Sequence, residues 1–211
     1  MAIAGRTPLE QSWFVERERA AAWLRLAFAM VAIAVIQLNP ARVTRFPQMS
    51  SIALWTFLVY SVVALVFVAR QNFALLRLGA LTTALDVVWI ALIVFSTGGT
   101  RTPFFFYYSF PVITASLRWG LKGSLPVAFV GVAIYVSIRW SLAAESDAQP
   151  LGIDTIVMRG LYLIFLAGVF GYISEFEKKQ NQKLLALSQT AASVGALQER
   201  RRIMFELHDS I

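Results

Sequence analysis

Ser51-Ile-Ala-Leu-Trp-Thr-Phe-Leu-Val-Tyr60-Ser-Val-Val-Ala-Leu-Val-Phe-Val-Ala69 runs without a charged residue until Arg70. A bilayer core about 30 Å thick takes roughly 20 mostly apolar residues in a helix, and this stretch meets that length. Working outward, similar stretches occur near 21–38, 79–97, 104–118, 124–143 and 155–174. They predict an all-α membrane protein with about six spans. The fourth is the weakest, being short and interrupted by Pro111. Hydroxyls and neighbouring helices are expected to satisfy the backbone groups that a proline frees. The short connections favour an up-and-down bundle.

Composition agrees. The 211 residues are 58% hydrophobic and 15% charged, with a mean hydropathy of +0.64, whereas a soluble domain carries about 25% charged residues. The net charge of +7 does not point to nucleic acid, because the basic residues lie between apolar runs rather than in one patch. No cysteine is present, so disulfides and thiolate chemistry are excluded, and a single histidine makes a zinc or di-iron site improbable. Glu10, Glu16, Arg17, Glu18 and Arg19 precede the first apolar run and no small-residue cleavage site follows it, as expected of a retained span.

Lys/Arg asymmetry sets the expected orientation. With the N-terminus inside, the inner side holds Arg6, Arg17, Arg19, Arg70, Arg77, Arg118, Lys122, Lys178, Lys179 and Lys183. The outer side holds Arg42, Arg45, Arg101 and Arg139. Six spans then return the C-terminus to the cytoplasm. The expected organisation is a cytoplasmic N-terminal segment (1–20), a transmembrane sensor bundle (21–174), a coiled-coil linker (175–198) and the start of a further helix (199–211). In the linker, Leu184, Leu187, Ala191 and Val194 follow coiled-coil spacing. The seam resumes at Leu197, Met204, Leu207 and Ile211 after an extra three-residue step near Gly195. That step reads either as a stammer able to act as a hinge or as a poorly packing stretch.

The last thirteen residues are Glu199-Arg-Arg-Arg-Ile-Met-Phe-Glu206-Leu-His208-Asp209-Ser-Ile211. Neutral imidazole is nucleophilic near neutral pH, and an adjacent carboxylate can orient one ring nitrogen while the other attacks phosphorus. The bland alternative is an exposed histidine in a charged helix. The run Glu-Arg-x-Arg-Ile-x-x-Glu-Leu-His-Asp-Ser resembles the phosphoacceptor box of bacterial sensor histidine kinases, nearest the nitrate-sensor and DesK-like subfamily in which an acid follows the histidine. The resemblance implies that His208 accepts the γ-phosphoryl group of ATP and that Asp209 serves as base or orienter. It also implies that Glu206 and Arg202 support the motif. A homodimer in the bacterial inner membrane is implied as well, passing phosphate to a response regulator of LuxR type. The ATP–Mg²⁺ domain, the partner helix and the downstream amide used for dephosphorylation lie outside this sequence. No Gly-rich nucleotide loop occurs in it, so this polypeptide alone is expected to be inactive.

Between spans three and four stands Thr97-Gly98-Gly99-Thr100-Arg101-Thr102-Pro103-Phe104, followed by Phe105, Phe106, Tyr107 and Tyr108. Two glycines permit a tight turn and close approach to a flat ligand. The stretch resembles the Gly-Gly-x-x-Asn-Pro-Phe loop of RegB-type kinases, which implies a quinone or other apolar ligand at Gly98, Gly99, Arg101, Pro103 and Phe104. Thr102 replaces the asparagine. The same residues also suit an ordinary turn beside an interfacial aromatic belt. Within the spans, at about 1.5 Å per residue, Asp86 lies roughly 10 Å and Arg25 roughly 8 Å from the inner side, a depth at which the two can pair, either as a static structural pair or as a switch that changes partners. Arg159 enters from the outer side, beyond easy reach of Asp86, where it can snorkel outward or join Arg101 and Arg139 near an anionic or carbonyl-bearing ligand. A small transporter or channel lined by these charges, and a non-catalytic scaffold acting through its coiled coil, are the competing readings.

Overall fold

The computed structural model describes residues 8–38, 45–70, 79–97, 103–143 and 153–209. Among these the chain is helical and contains no strand. The helices are α1 (Pro8–Leu38), α2 (Pro47–Ala69), α3 (Gly79–Ser96), α4 (Ser109–Trp119), α5 (Leu121–Ala143) and α6 (Ile153–Asp209). A 3-10 segment, Pro103–Tyr108, leads into α4. Five helices, all but α4, are long and apolar enough to cross a membrane. Helices are the only open structures that satisfy their own backbone groups in lipid. Ser and Thr inside these helices are no obstacle, since their hydroxyls bond to their own helix, as Ser61 Oγ does to Phe57 O at 2.7 Å.

Small residues make the packing. Glu18, Ala22, Arg25, Ala29, Ala32 and Ile36 form the buried face of α1, and Ser50, Ala53, Leu54, Phe57, Ser61 and Ala64 that of α2. Large apolar side chains such as Trp23, Ile52, Trp55, Val59 and Val63 point outward. This is the pattern of helices that associate by close backbone approach while lipid solvates the bulky residues, and it places the two helices side by side.

The expected fourth span takes a different form. Residues 103–119 are a six-residue 3-10 segment joined to an eleven-residue α-helix, reaching about 28 Å at the rises of the two helix types. The pair is nearly all buried, with α4 lying against α1, α3, α5 and α6. Pro111 sits in the first turn of α4, where a missing N–H is harmless. Surrounded by protein, this broken element needs no apolar length of its own.

Two expected boundaries are absent from the backbone. α1 begins at Pro8 and passes through 20/21, carrying Arg17 and Glu18 into the bundle. α6 runs for 57 residues through 174/175, 198/199 and Gly195 without interruption, so those junctions are changes of composition only. In its extension Leu184 and Leu187 are 61% and 66% exposed, leaving the seam unpartnered within one chain. The end of the bundle from which α6 extends is called proximal below. The opposite end, where the Arg45 and Phe46 amides donate to Ser96 O at 3.1 and 3.0 Å, is called distal.

Candidate functional site

The chemistry-bearing side chains of the bundle gather at its proximal end, in three layers. The deepest joins α1 to α3. Arg25 Nε donates to Asp86 Oδ1 at 2.8 Å and Nη2 to Oδ2 at 2.7 Å, a bidentate pair whose side chains are 3% and 0% exposed. The guanidinium lies over the rings of Tyr60 and Phe110, with centroids at 5.1 and 5.6 Å. The pairing expected from helical depth is therefore present. An unpaired charge here would carry a large desolvation cost.

The second layer was not anticipated. Arg118, near the end of α4, donates from Nε to Glu18 Oε1 at 2.8 Å and from Nη2 to Glu18 Oε2 at 2.7 Å. Its Nη1 reaches Gly79 O and Thr83 Oγ1, both at 2.6 Å. One side chain thus ties α4 to α1 and to the first turn of α3. Both partners looked like flanking charges in the sequence. The available signal was periodicity, since Glu18 shares the 22, 25, 29, 32 face of α1.

The third layer grips α6. The last carbonyls of a helix lack partners and carry partial negative charge. Here Arg17 Nη1 donates to Leu117 O at 3.2 Å and Lys178 Nζ to Arg118 O at 3.3 Å. Arg17 also pairs with Glu177 at 3.7 Å. The Leu121 amide, at the start of α5, donates to Glu175 Oε1 at 3.2 Å, and Ser124 Oγ donates to Ala167 O at 2.9 Å. Burial, reinforced by nearby Arg17 and opposed by Glu175, holds the Lys178 ammonium below its ordinary pKa.

Two glycines let this knot close. Gly120 turns the chain between α4 and α5 with φ 68° and ψ −147°, and an added Cβ would stand 2.8 Å from Glu175 Cγ. At Gly171 a Cβ would meet Ser124 Oγ at 2.7 Å and Leu121 Cα at 2.9 Å. Gly120→Ala is expected to destabilise the bundle by about 1–3 kcal/mol through backbone strain. Thermal unfolding in detergent checks this, an unchanged melting temperature being the contrary result.

The residues singled out by motif fall elsewhere. Glu206, His208 and Asp209 lie on the last turns of α6, and their side chains are outside the described residues. His208 is 33 positions beyond Glu175, about 50 Å along a continuous helix. Gly98, Gly99 and Arg101 are also outside the described residues. Pro103 opens the 3-10 segment, and Phe104 is buried against Tyr107 with ring centroids 5.1 Å apart. Phe104 therefore fills the core, its ring face engaged within the protein. Arg159 is far from Asp86, as expected. It turns inward instead, donating to Tyr135 Oη at 2.6 Å.

No family model matches this chain, and neither does any curated protein or solved structure.

Proposed function

We propose that this chain is the membrane input bundle and signalling helix of a bacterial sensor histidine kinase. One observation carries the reading: α6 is a single helix from the bundle to the histidine motif. A change in how α5, α1 and α4 hold Glu175, Glu177 and Lys178 respectively would tilt or rotate that helix, and no joint lies between the knot and His208 to absorb the motion. Interfaces of this kind are bistable rather than continuously deformable, so a stimulus that favours one packing of the bundle shifts the population of the other.

In this reading the bundle lies in the inner membrane with both ends of the chain cytoplasmic. The Lys/Arg bias supports that orientation, as does the placement of Arg17, Arg118 and Lys178 at one end. The broken 103–119 element is the sixth crossing. The exposed residues Leu184, Leu187 and Val194 are the homodimer seam, and the phosphoryl group passes from His208 to a cognate response regulator. ATP and Mg²⁺ are held by a nucleotide-binding domain outside these 211 residues. An apolar stimulus such as a quinone at the 98–104 loop belongs to the same proposal. The buried charges favour signalling over a transporter or channel, because Arg25 and Asp86 are paired with each other by two hydrogen bonds.

The test joins this chain to the sequence that follows it in its gene and supplies γ-labelled ATP to membrane vesicles. Inside-out vesicles should acquire an acid-labile, alkali-stable phosphoryl group, and sealed right-side-out vesicles should not. Absence of label in both, with nucleotide binding intact, overturns the proposal.

A further inference from the structure

Three arginines at the proximal end, Arg17, Arg25 and Arg118, each have a carboxylate partner. Arg159, at the distal end, has none among the described residues. It stands on α6 six positions after Ile153, about 9 Å along the helix. A lysine or arginine near the end of a span ordinarily snorkels toward water. This one is instead drawn inward. Its Nη1 donates to the buried Tyr135 Oη at 2.6 Å, and its guanidinium lies over the rings of Phe105 and Tyr135, with centroids at 5.0 and 5.4 Å. The fork is thereby fixed in place with most of its N–H groups unspent.

A second observation points to the same place. Tyr108 is 1% exposed, and its hydroxyl has no hydrogen-bond partner. Its ring joins the cluster through Phe105 at 6.2 Å, and Phe105 in turn packs on Tyr135 at 4.9 Å. A buried phenol without an acceptor is costly, and Tyr108 belongs to the same aromatic cluster as the rings under the Arg159 guanidinium, joined to it through Phe105. The cluster is open on one side: Phe106 is 55% exposed and packs edge-on to Tyr162 at 5.5 Å, and Met158 is exposed next to Arg159 on α6. That surface suits an acyl chain.

We infer that Arg159, with the phenols of Tyr135 and Tyr108 and the Phe105 shelf, binds the oxyanion head of an anionic amphiphile whose apolar tail lies along Phe106 and Tyr162. A guanidinium fork matches the geometry of either a carboxylate or a phosphate. The head can therefore belong to a free fatty acid or to a phospholipid.

Binding is measured on the purified chain in neutral detergent, with oleate, dioleoyl phosphatidate and the uncharged methyl oleate as probes. At least one of the two acids should bind about tenfold or more tightly than the ester and raise the melting temperature. The stronger acid identifies the source of the head group. Arg159→Gln should abolish the preference. Arg159→Lys, which keeps the charge but loses the planar fork, should weaken it, and Tyr108→Phe should reduce affinity without lowering the melting temperature of the free protein. Equal binding of acid and ester, or undiminished preference in both Arg159 variants, overturns the inference. So does loss of stability in Glu145→Gln/Asp147→Asn matching that of Arg159→Gln with no amphiphile bound, since the counter-charge would then be internal. These outcomes do not depend on phosphoryl transfer.

Discussion

Replacing Asp86 by leucine is expected to lower the stability of the bundle by about 3–5 kcal/mol, the range for stranding one member of a buried ion pair. Arg25 is 3% exposed and both of its bonds to α3 end on this carboxylate. Without it the guanidinium keeps only Tyr60 and Phe110 beneath it. The reciprocal change, Arg25→Met, strands the carboxylate and should cost a similar amount. The double variant Arg25→Met/Asp86→Leu should recover most of the loss, because apolar pairs of similar volume replace buried ion pairs with little net change. Unfolding of the four proteins in detergent completes a double-mutant cycle. Additive single effects would mean that the two residues do not act as a pair. Under the proposed function the double variant also separates packing from switching: restored stability with a fixed level of phosphorylation would make the pair part of the signalling equilibrium.

Under the proposed kinase function, replacing His208 by glutamine in the chain joined to its nucleotide-binding domain is expected to remove the phosphoryl label, a loss of roughly a hundred-fold or more, as when other reacting nucleophiles are deleted. Glutamine preserves the helix and its polarity while removing the nucleophilic nitrogen, so membrane insertion and yield should not change. Asp209→Asn should retain the acceptor and reduce the rate of labelling, because the amide cannot hold the imidazole proton as a carboxylate does. Undiminished label on His208→Gln would place the phosphoryl group elsewhere and remove the assigned role.

Much of this architecture is legible in the sequence. Apolar length and the scarcity of charge identified the membrane-type helices, because a helix in lipid has to supply both from its own residues. The depth of Arg25 and Asp86 was legible for a related reason, since a fixed rise per residue converts position into height. The sequence marks 104–118 as the weakest of six spans, short and interrupted by Pro111, but it does not show that the element is a 3-10 segment joined to a short helix. Its stability comes from helices on all sides, and no local pattern records what surrounds a segment. The pairing of Glu18 with Arg118 is hidden from the sequence for the same reason. Placed 100 positions apart, they meet only because α1 and α4 pack together.

Sequence alone determined that the chain is a set of membrane-type helices followed by a charged helical tail bearing one histidine. Those properties depend on composition and on spacing within a single helix. Tertiary structure alone decided which charges meet, that α4 sits at the centre, that a terminal carbonyl of α4 accepts from Lys178 of α6, and that Glu175 of α6 accepts from the Leu121 amide of α5. It also decided that Arg159 faces inward onto Tyr135. These are pairings between distant parts of the chain, and they exist only once close approach of small-residue faces has chosen which helices are neighbours.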